Sequence, residues 1–523
     1  MGAGAATLGL AAGRRLYGLA ETSEISELIQ TPLGTLRGKR TGDTIAFLGV
    51  PFAEPPVGAL RFLPPRPARP WHGIRPALKY APAPVQLRRA VIGPAVVSED
   101  CLYLNVWTPV TPGPHPVLVW IYGGGNTAGA TGGIADGSHF ARNGIVCVTP
   151  AYRVGALGFL DLTAELGAAY AGSGNNGLRD QICALHWVRE NIAAFGGDPE
   201  RVTVGGESAG AKDTCALMGA AQAGAAQAGA PQAAGLFRQA IVESGSGQTF
   251  HTRESARVLT REFLECAGLD AGDAARLRSM PVDQLLSAQS VLLARIGAFP
   301  FRVTVDGVVL DRSPLESVRS GSLHSGSGRG VRLLAGSNHD ESSFFVRGAA
   351  LNRPIGPHEV QNMPMDAIRT MEARYEKHFP GLTSAERKLR LLTAEEYWIP
   401  TLRVAEAHVS SGGEAYFYRF DCPLLKGPLA GEVPHSAELK FVWDDQTPLQ
   451  DGERKDGERN GLVQSMHAAW VDFIYGRAPA IRNAPAWPRF SLAERPVMLI
   501  DRKSTAALDP NAAERRLWDG WPA

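Results

Sequence analysis

The sequence predicts an α/β fold with a central, mostly parallel twisted sheet and helices on both faces, and three stretches carry that prediction. Pro116-Val117-Leu118-Val119-Trp120-Ile121-Tyr122 is a near-continuous apolar run, the pattern of a strand buried on both faces as in a parallel sheet. Leu178, Ile182, Leu185, Val188 and Ile192 share one face of a helix, and Val202 to Gly205 follows as a strand, so strand, helix and strand make a βαβ unit. The third stretch, Val202 to Ala211, is a short β-branched run ending in Gly-x-Ser-x-Gly and then a helix-competent segment. It reads as a strand, a sharp turn and a helix with Ser208 at the turn, the shape of a nucleophile elbow. Gly206 and Gly210 flank the serine because strand and helix approach too closely there for side chains. The strand leading into the elbow is expected at the centre of the sheet.

In chain order, Ile29 to Phe52 alternates around a turn at Gly42-Asp43, which suggests an antiparallel meander. The proline-dense stretch Gly49 to Phe62 is a rigid extended loop, since proline fixes φ and removes donors. Arg66 to Ser98 is loop-rich, Glu99 to Trp107 alternates as a strand, and the run from Pro116 stops at Gly123-Gly124-Gly125. Ile145 to Val148 is a further short strand, and Gly196-Gly197-Asp198-Pro199 ends the helix before the elbow strand. Gly219 to Gly235, almost wholly Ala, Gln and Gly, reads as a low-complexity surface insertion. Strands resume at Gln239–Val242, Val331–Ala335, Ala415–Phe420 and Pro496–Ile500, and Leu351 to Ser410 is mainly helical and amphipathic, a cap over one end of the sheet.

Bulk properties narrow the partners. Net charge is +1 with no Lys/Arg block, which argues against nucleic acid or an anionic membrane and favours a small, roughly neutral ligand. No run approaches the roughly 18 apolar residues of a membrane span. The six cysteines are scattered without C-x-x-C or a cluster of histidines, so neither a metal site nor a disulfide framework is expected. Gly2 to Gly13 is small and apolar but lacks a basic start, and residues 1–28 read as a flexible leader rather than an export signal. A cytoplasmic location is expected, with secretion possible if the N-terminus is incomplete; oligomeric state is not legible.

A serine hydroxyl is a weak nucleophile at neutral pH and needs a general base, which in turn needs an acceptor that fixes its tautomer. On an elbow of this kind the order is Ser, then Asp or Glu, then His. The loop after Val331–Ala335 carries His339-Asp340-Glu341, and the loop after Ala415–Phe420 carries His435.

At these residues the chain resembles the type-B carboxylesterases, which share their fold with the cholinesterases. Phe47 to Phe62 is similar to the family's F-x-G-(I/V)-P-(Y/F)-A-x-P-P-(V/T)-G-x-x-R-F, and Glu99 to Val106 to its E-D-C-L-(Y/F)-L-N-(V/I). Gly177-Leu178-x-Asp180-Gln181 and Asn191-Ile192-x-x-Phe195-Gly196-Gly197-Asp198-Pro199 lead into Gly-Glu-Ser-Ala-Gly as they do there. The resemblance runs from about Thr31 to Pro522. It implies an α/β-hydrolase fold in a single domain over 29–523, with cap-like insertions at about 66–98 and 345–410, in place of the three domains that 523 residues would allow.

Carried over residue by residue, the resemblance implies Ser208 as nucleophile, His435 as general base and Glu341 as the acid that orients it. The family pattern around the acid is D-E-G-S, and position 342 carries Ser instead of Gly, so Asp340 stands as the alternative acid; the flanking residues align with Glu341 without a gap. Gly124, Gly125 and Ala209 are implied as oxyanion-hole donors, and Ala209 suits that part physically because it opens a helix, where N–H groups are unpaired. Glu207 is expected to supply a supporting hydrogen bond, and Arg61 with Glu99 and Arg153 with Asp180 to form buried ion pairs.

The implied function is a serine esterase acting on small to medium carboxylic esters through an acyl-enzyme, without metal or organic cofactor. Its rate is expected to fall as His435 is protonated below about pH 6 to 7. Where secreted relatives carry a cysteine in G-P-x-C, Ala81-Pro82-Ala83-Pro84 offers proline, which leaves Cys101 unpaired. Gln86 to Ser98 contains no aromatic residue, so choline esters are not expected. The alternatives are a lipase acting on longer acyl chains and a non-catalytic binding protein on the same fold.

Overall fold

The structure, a computed structural model, describes residues 25–87, 96–133, 135–220, 233, 235–297, 299–321, 330–444 and 457–521. The chain enters through an antiparallel meander of β1 (Ile25–Thr31), β2 (Gly34–Thr41) and β3 (Thr44–Pro51). Pairing begins earlier than the alternation suggests, because Ile25 to Leu28 find backbone partners in Arg37 to Arg40. The last four residues of the expected leader are therefore strand, and residues 1–24 lie outside the described residues.

The remaining strands are β4 (Ile74–Pro76), β5 (Ala83–Pro84), β6 (Val97–Ser98), β7 (Tyr103–Pro109), β8 (His115–Ile121), β9 (Val146–Pro150), β10 (Gly197–Glu207) and β11 (Gln239–Glu243). They are followed by β12 (His251–Thr252), β13 (Thr304–Val305), β14 (Arg332–Asn338), β15 (Glu414–Phe420), β16 (Pro496–Ile500) and β17 (Thr505–Leu508). Among the described residues the main sheet runs β1-β2-β3-β7-β9-β8-β10-β11-β14-β15-β16-β17, with β4 beside β2, while β5 pairs β6 and β12 pairs β13 apart from it. From β9 to β16 every neighbour is parallel, and antiparallel strands close both margins. This is the α/β-hydrolase sheet, and the elbow strand β10 lies at its centre.

Alternation explains why these strands are buried on two faces. Val117, Val119 and Ile121 join one apolar cluster with Val204 and Val242, whereas Leu118 and Trp120 point the other way into a second cluster with Ile241, Tyr416 and Trp443. Each such side chain taken from water contributes roughly 2 kcal/mol. The helix Asn176–Asn191 buries Leu178, Ile182, Leu185 and Val188 against the first cluster, and Ile192 opens a 3₁₀ turn that ends at Gly196 in the left-handed region.

Helices Met365–His378, Ser384–Thr393 and Ile399–Ser410 occupy the expected cap region. A third cluster, with Ile368, Met371, Tyr375, Leu391 and Trp518, gives this region a small core of its own. The Ala/Gln/Gly stretch begins as the end of the helix Ala209–Ala220, and its residues 221–232 and 234 lie outside the described residues.

Candidate active site

The parallel strands deliver their C-terminal loops to one edge of the sheet, and the expected residues collect there. Ser208 follows β10 directly and holds φ at +58°, a left-handed conformation that costs a residue with a Cβ about 1 kcal/mol or more. The turn is held by the Ser208 N–H donating to the Glu243 carbonyl at 2.9 Å and by the helix Ala209–Ala220 that starts at once. Gly210 is obligatory here, since a Cβ on it would stand 2.0 Å from the Ile121 carbonyl oxygen.

His435 and Glu341 are brought together. His435 Nδ1 lies 2.6 Å from Glu341 Oε2, and both side chains are buried. Glu341 is fixed on its other oxygen by the Asn338 N–H at 2.7 Å and the Ser244 hydroxyl at 2.5 Å. Asp340 points elsewhere: it lies 2.7 Å from His339 Nδ1 and accepts from the Val433 N–H at 3.0 Å.

Ser208 and His435 are not hydrogen-bonded, and among the described residues the Ser208 hydroxyl has no hydrogen-bond partner. His435 Nε2 instead lies 3.1 Å from Glu207 Oε1, which also accepts from the Ser436 hydroxyl at 2.6 Å. The imidazole is thus bracketed by two carboxylates, the arrangement of an imidazolium donating from both nitrogens. Burial works to lower the His435 pKa, but the charges of Glu207 and Glu341, the hydrogen bond to Glu341 and the nearby Glu438 outweigh it and raise it to about 9. Burial in turn raises Glu207, against the opposing pull of His435 and Ser436.

The glycine run touches the elbow. A Cβ on Gly123 would meet the Glu207 carbonyl oxygen at 2.8 Å and Ser208 Cβ at 3.0 Å. Gly124 and Gly125 follow with φ of +115° and +65°, and Gly124 O accepts from the N–H groups of Thr127 and Ala128, so the run is a tight turn rather than a loose loop. The Phe299 ring covers Gly125, 2.0 Å from where a Cβ would sit. Phe299 meets Phe345 edge-on at 5.7 Å, and Phe345 and Tyr397 lie over His435 at 5.2 and 4.6 Å between ring centroids. Phe344 and Phe345 are exposed beside them.

Several neighbours were not found from the sequence. Ser244, Asn338, Ser436 and Glu438 orient the two central residues; Glu438 accepts from Asn338 Nδ2, and burial followed by Glu207 and Glu341 raises its pKa to about 8. The expected ion pairs are present away from the chemistry, with Arg153 forking onto Asp180 at 2.7 and 2.8 Å and Arg61 onto Glu99. All six cysteines are free, with Cys101 buried. Among the described residues no group of three or more His, Cys, Asp or Glu is arranged to hold a metal ion, and no helix is long and apolar enough to cross a membrane.

Comparison with known proteins bears on what this edge of the sheet does. A family model described as the carboxylesterase family matches residues 25–518. The para-nitrobenzyl esterase of Bacillus subtilis (strain 168) is 32% identical over 505 residues, covering 94% of this chain and 98% of that esterase. The fumonisin B1 esterase of Sphingopyxis macrogoltabida is 32% identical over 493 residues, covering 90% and 86%. Among solved structures, a carboxylesterase of Geobacillus stearothermophilus superposes with a TM-score of 0.80 at 34% identity, covering 94% of this chain and 100% of that one.

Proposed function

The chain belongs to the carboxylesterase family and is a carboxylic ester hydrolase, and from that premise we propose how it acts. Ser208 attacks the ester carbonyl while His435 Nε2, turned from Glu207, takes the hydroxyl proton. Glu341 holds Nδ1–H and steadies the imidazolium. The oxyanion lies among the N–H groups of Gly124, Gly125 and Ala209, donors worth a few kcal/mol of barrier. Collapse of the tetrahedral species passes the proton from His435 to the leaving alcohol and leaves the acyl group on Ser208. Water then attacks with His435 as base, and a second collapse frees the acid and Ser208. The observation that carries this reading is the 2.6 Å contact between Glu341 and His435 beside a strained serine at the head of a helix.

The substrates proposed are small to medium carboxylic esters, with Phe299, Phe344 and Phe345 offering apolar surface to them. We read the chain from Ile25 onward as a single α/β-hydrolase domain in which 66–98 and 345–410 are insertions, a division supported by the separate apolar cluster of the second insertion. A reducing compartment, the cytoplasm, is proposed on the strength of six free cysteines.

The test is turnover of a p-nitrophenyl ester series. Ser208→Ala should lower kcat by about 10⁴-fold or more, and wild type should prefer short to medium acyl chains. Activity near wild type in Ser208→Ala would sink the mechanism, and a rise on emulsified long-chain ester would replace the substrate class with a lipase's.

A further inference from the structure

Asn126 and Asp213 bridge the two backbone segments that carry the proposed oxyanion donors. Asn126 directly follows Gly125, is 5% exposed and holds φ at +52°. Asp213 lies in the first turns of the helix that begins at Ala209 and is fully buried. Asn126 Nδ2 donates to Asp213 Oδ1 at 3.1 Å, and Gln181 Nε2 donates to Asp213 Oδ2 at 2.6 Å, so each carboxylate oxygen has one amide donor. The rest of Asn126 is also tied. Its carbonyl accepts from the Gly155 N–H at 2.6 Å, and the Tyr152 hydroxyl lies 3.3 Å from its Oδ1.

Nothing in the packing of the helix asks for a carboxylate. The neighbours Cys215, Ala216 and Leu217 are apolar and fully buried, and an apolar residue at 213 would avoid the desolvation of a charge. The adjacent Lys212 is committed to Glu396 at 3.0 Å, so Asp213 is held by neutral amides instead of a salt bridge. Asn126 takes a left-handed φ that asparagine tolerates and glycine adopts freely, so the turn alone does not call for its side chain. A costly carboxylate on the helix and an asparagine on the glycine turn that satisfy each other make sense as a spacer.

We propose that Asn126 and Asp213 are positioning residues whose hydrogen bond sets the separation between the Gly124 and Gly125 N–H groups on one side and the Ala209 N–H on the other. This rests on the acyl-transfer reading above. Donors to an oxyanion act only where they stand within hydrogen-bond reach of its final position, and slack between the two loops weakens the tetrahedral species more than the bound ester.

The test is an exchange of the two side chains. Asp213→Leu removes the acceptor from Asn126 Nδ2, and Asn126→Asp sets two carboxylates face to face. The double variant Asn126→Asp/Asp213→Asn restores one donor and one acceptor, leaving an amide oxygen for Gln181. Asn126→Gly suits the positive φ and removes the bond without strain, which keeps the test open if a charged variant fails to fold. Each single variant should lower kcat about tenfold or more, with KM for a p-nitrophenyl ester within about threefold of wild type. Affinity for a trifluoromethyl ketone, which forms a tetrahedral adduct on the serine, should fall in step with kcat, and the double variant should recover most of both.

Wild-type kcat and ketone affinity in Asn126→Gly would overturn the proposal, as would parallel losses of kcat, KM and thermal stability without recovery in the double variant. Labelling of wild type by a fluorophosphonate separates the two levels. Absence of label on Ser208 defeats the acyl-transfer reading itself, whereas labelling with unaffected variants defeats only the spacer.

Discussion

A histidine that acts as a base has to be neutral when it meets its proton donor, and the surroundings of His435 oppose that. Its pKa stands near 9 because Glu207 and Glu341 flank it, so activity should rise with pH through that region, above the pH 6 to 7 limb that an unperturbed histidine implies. Glu207→Gln removes one of the two flanking charges, and the acid limb of kcat/KM should move to lower pH; a limb at the same pH in both proteins would refute the role of Glu207. The choice of acid is open to a similar comparison. Glu341→Gln should lower kcat by about 10²-fold to 10⁴-fold, while Asp340→Asn, which alters a residue turned toward His339 and Val433, should stay within a few-fold. Equal losses would leave the acid unassigned between them. Ser208, Glu341 and His435 were legible because each follows a strand in a fixed order among recognisable neighbours. Ser244, Ser436 and Glu438 were not, since their parts arise from contacts between loops and strand ends that are remote in sequence.

Among the elements, the turn Ala394–Trp398 departs most from expectation, being π-helical between two α-helices. It turns Tyr397 onto His435 and Glu396 toward Lys212. Such single-turn irregularities gather at functional sites, and no periodicity announces this one, because Leu391, Leu392 and Ile399 keep an apolar face on either side of it. The Lys212–Glu396 pair is mostly buried, so Glu396→Gln or Lys212→Met alone should cost about 3 kcal/mol by leaving one charge unpaired. The double variant should cost less than either single. Denaturation of all four proteins reads the coupling, and additive losses would argue that the two side chains do not depend on each other.

For the molecule as a whole, the sheet centre and the β2–β3 hairpin around Gly42-Asp43 followed from sequence, and the outermost strands did not. β8, β10, β11, β14, β15 and β16 lie within a few residues of the apolar runs that predicted them, because burial on both faces writes itself into composition. β17 is largely exposed and carries no apolar face, and β1 hides in the expected leader, so neither left a pattern to find. Distant parts are clamped by Arg153, which joins Asp180 on the helix Asn176–Asn191 to the Leu63 carbonyl in the proline-rich segment. Asp180→Asn should lower Tm, corresponding to about 3 kcal/mol, while kcat per folded molecule holds. An unchanged melting curve would show the clamp to be dispensable.

The gathering of loops from β8, β10, β11, β14 and β15 at one sheet edge also orders events during synthesis. Ser208 leaves the ribosome more than two hundred residues before His435, and at ~5–20 residues per second that interval is on the order of ten seconds or longer. Through it the nascent chain carries a serine on its elbow strand without His435, and for the first 133 residues without Glu341 as well. By the proposed route, an N-terminal fragment ending before β15 lacks the general base and should show no ester turnover through Ser208.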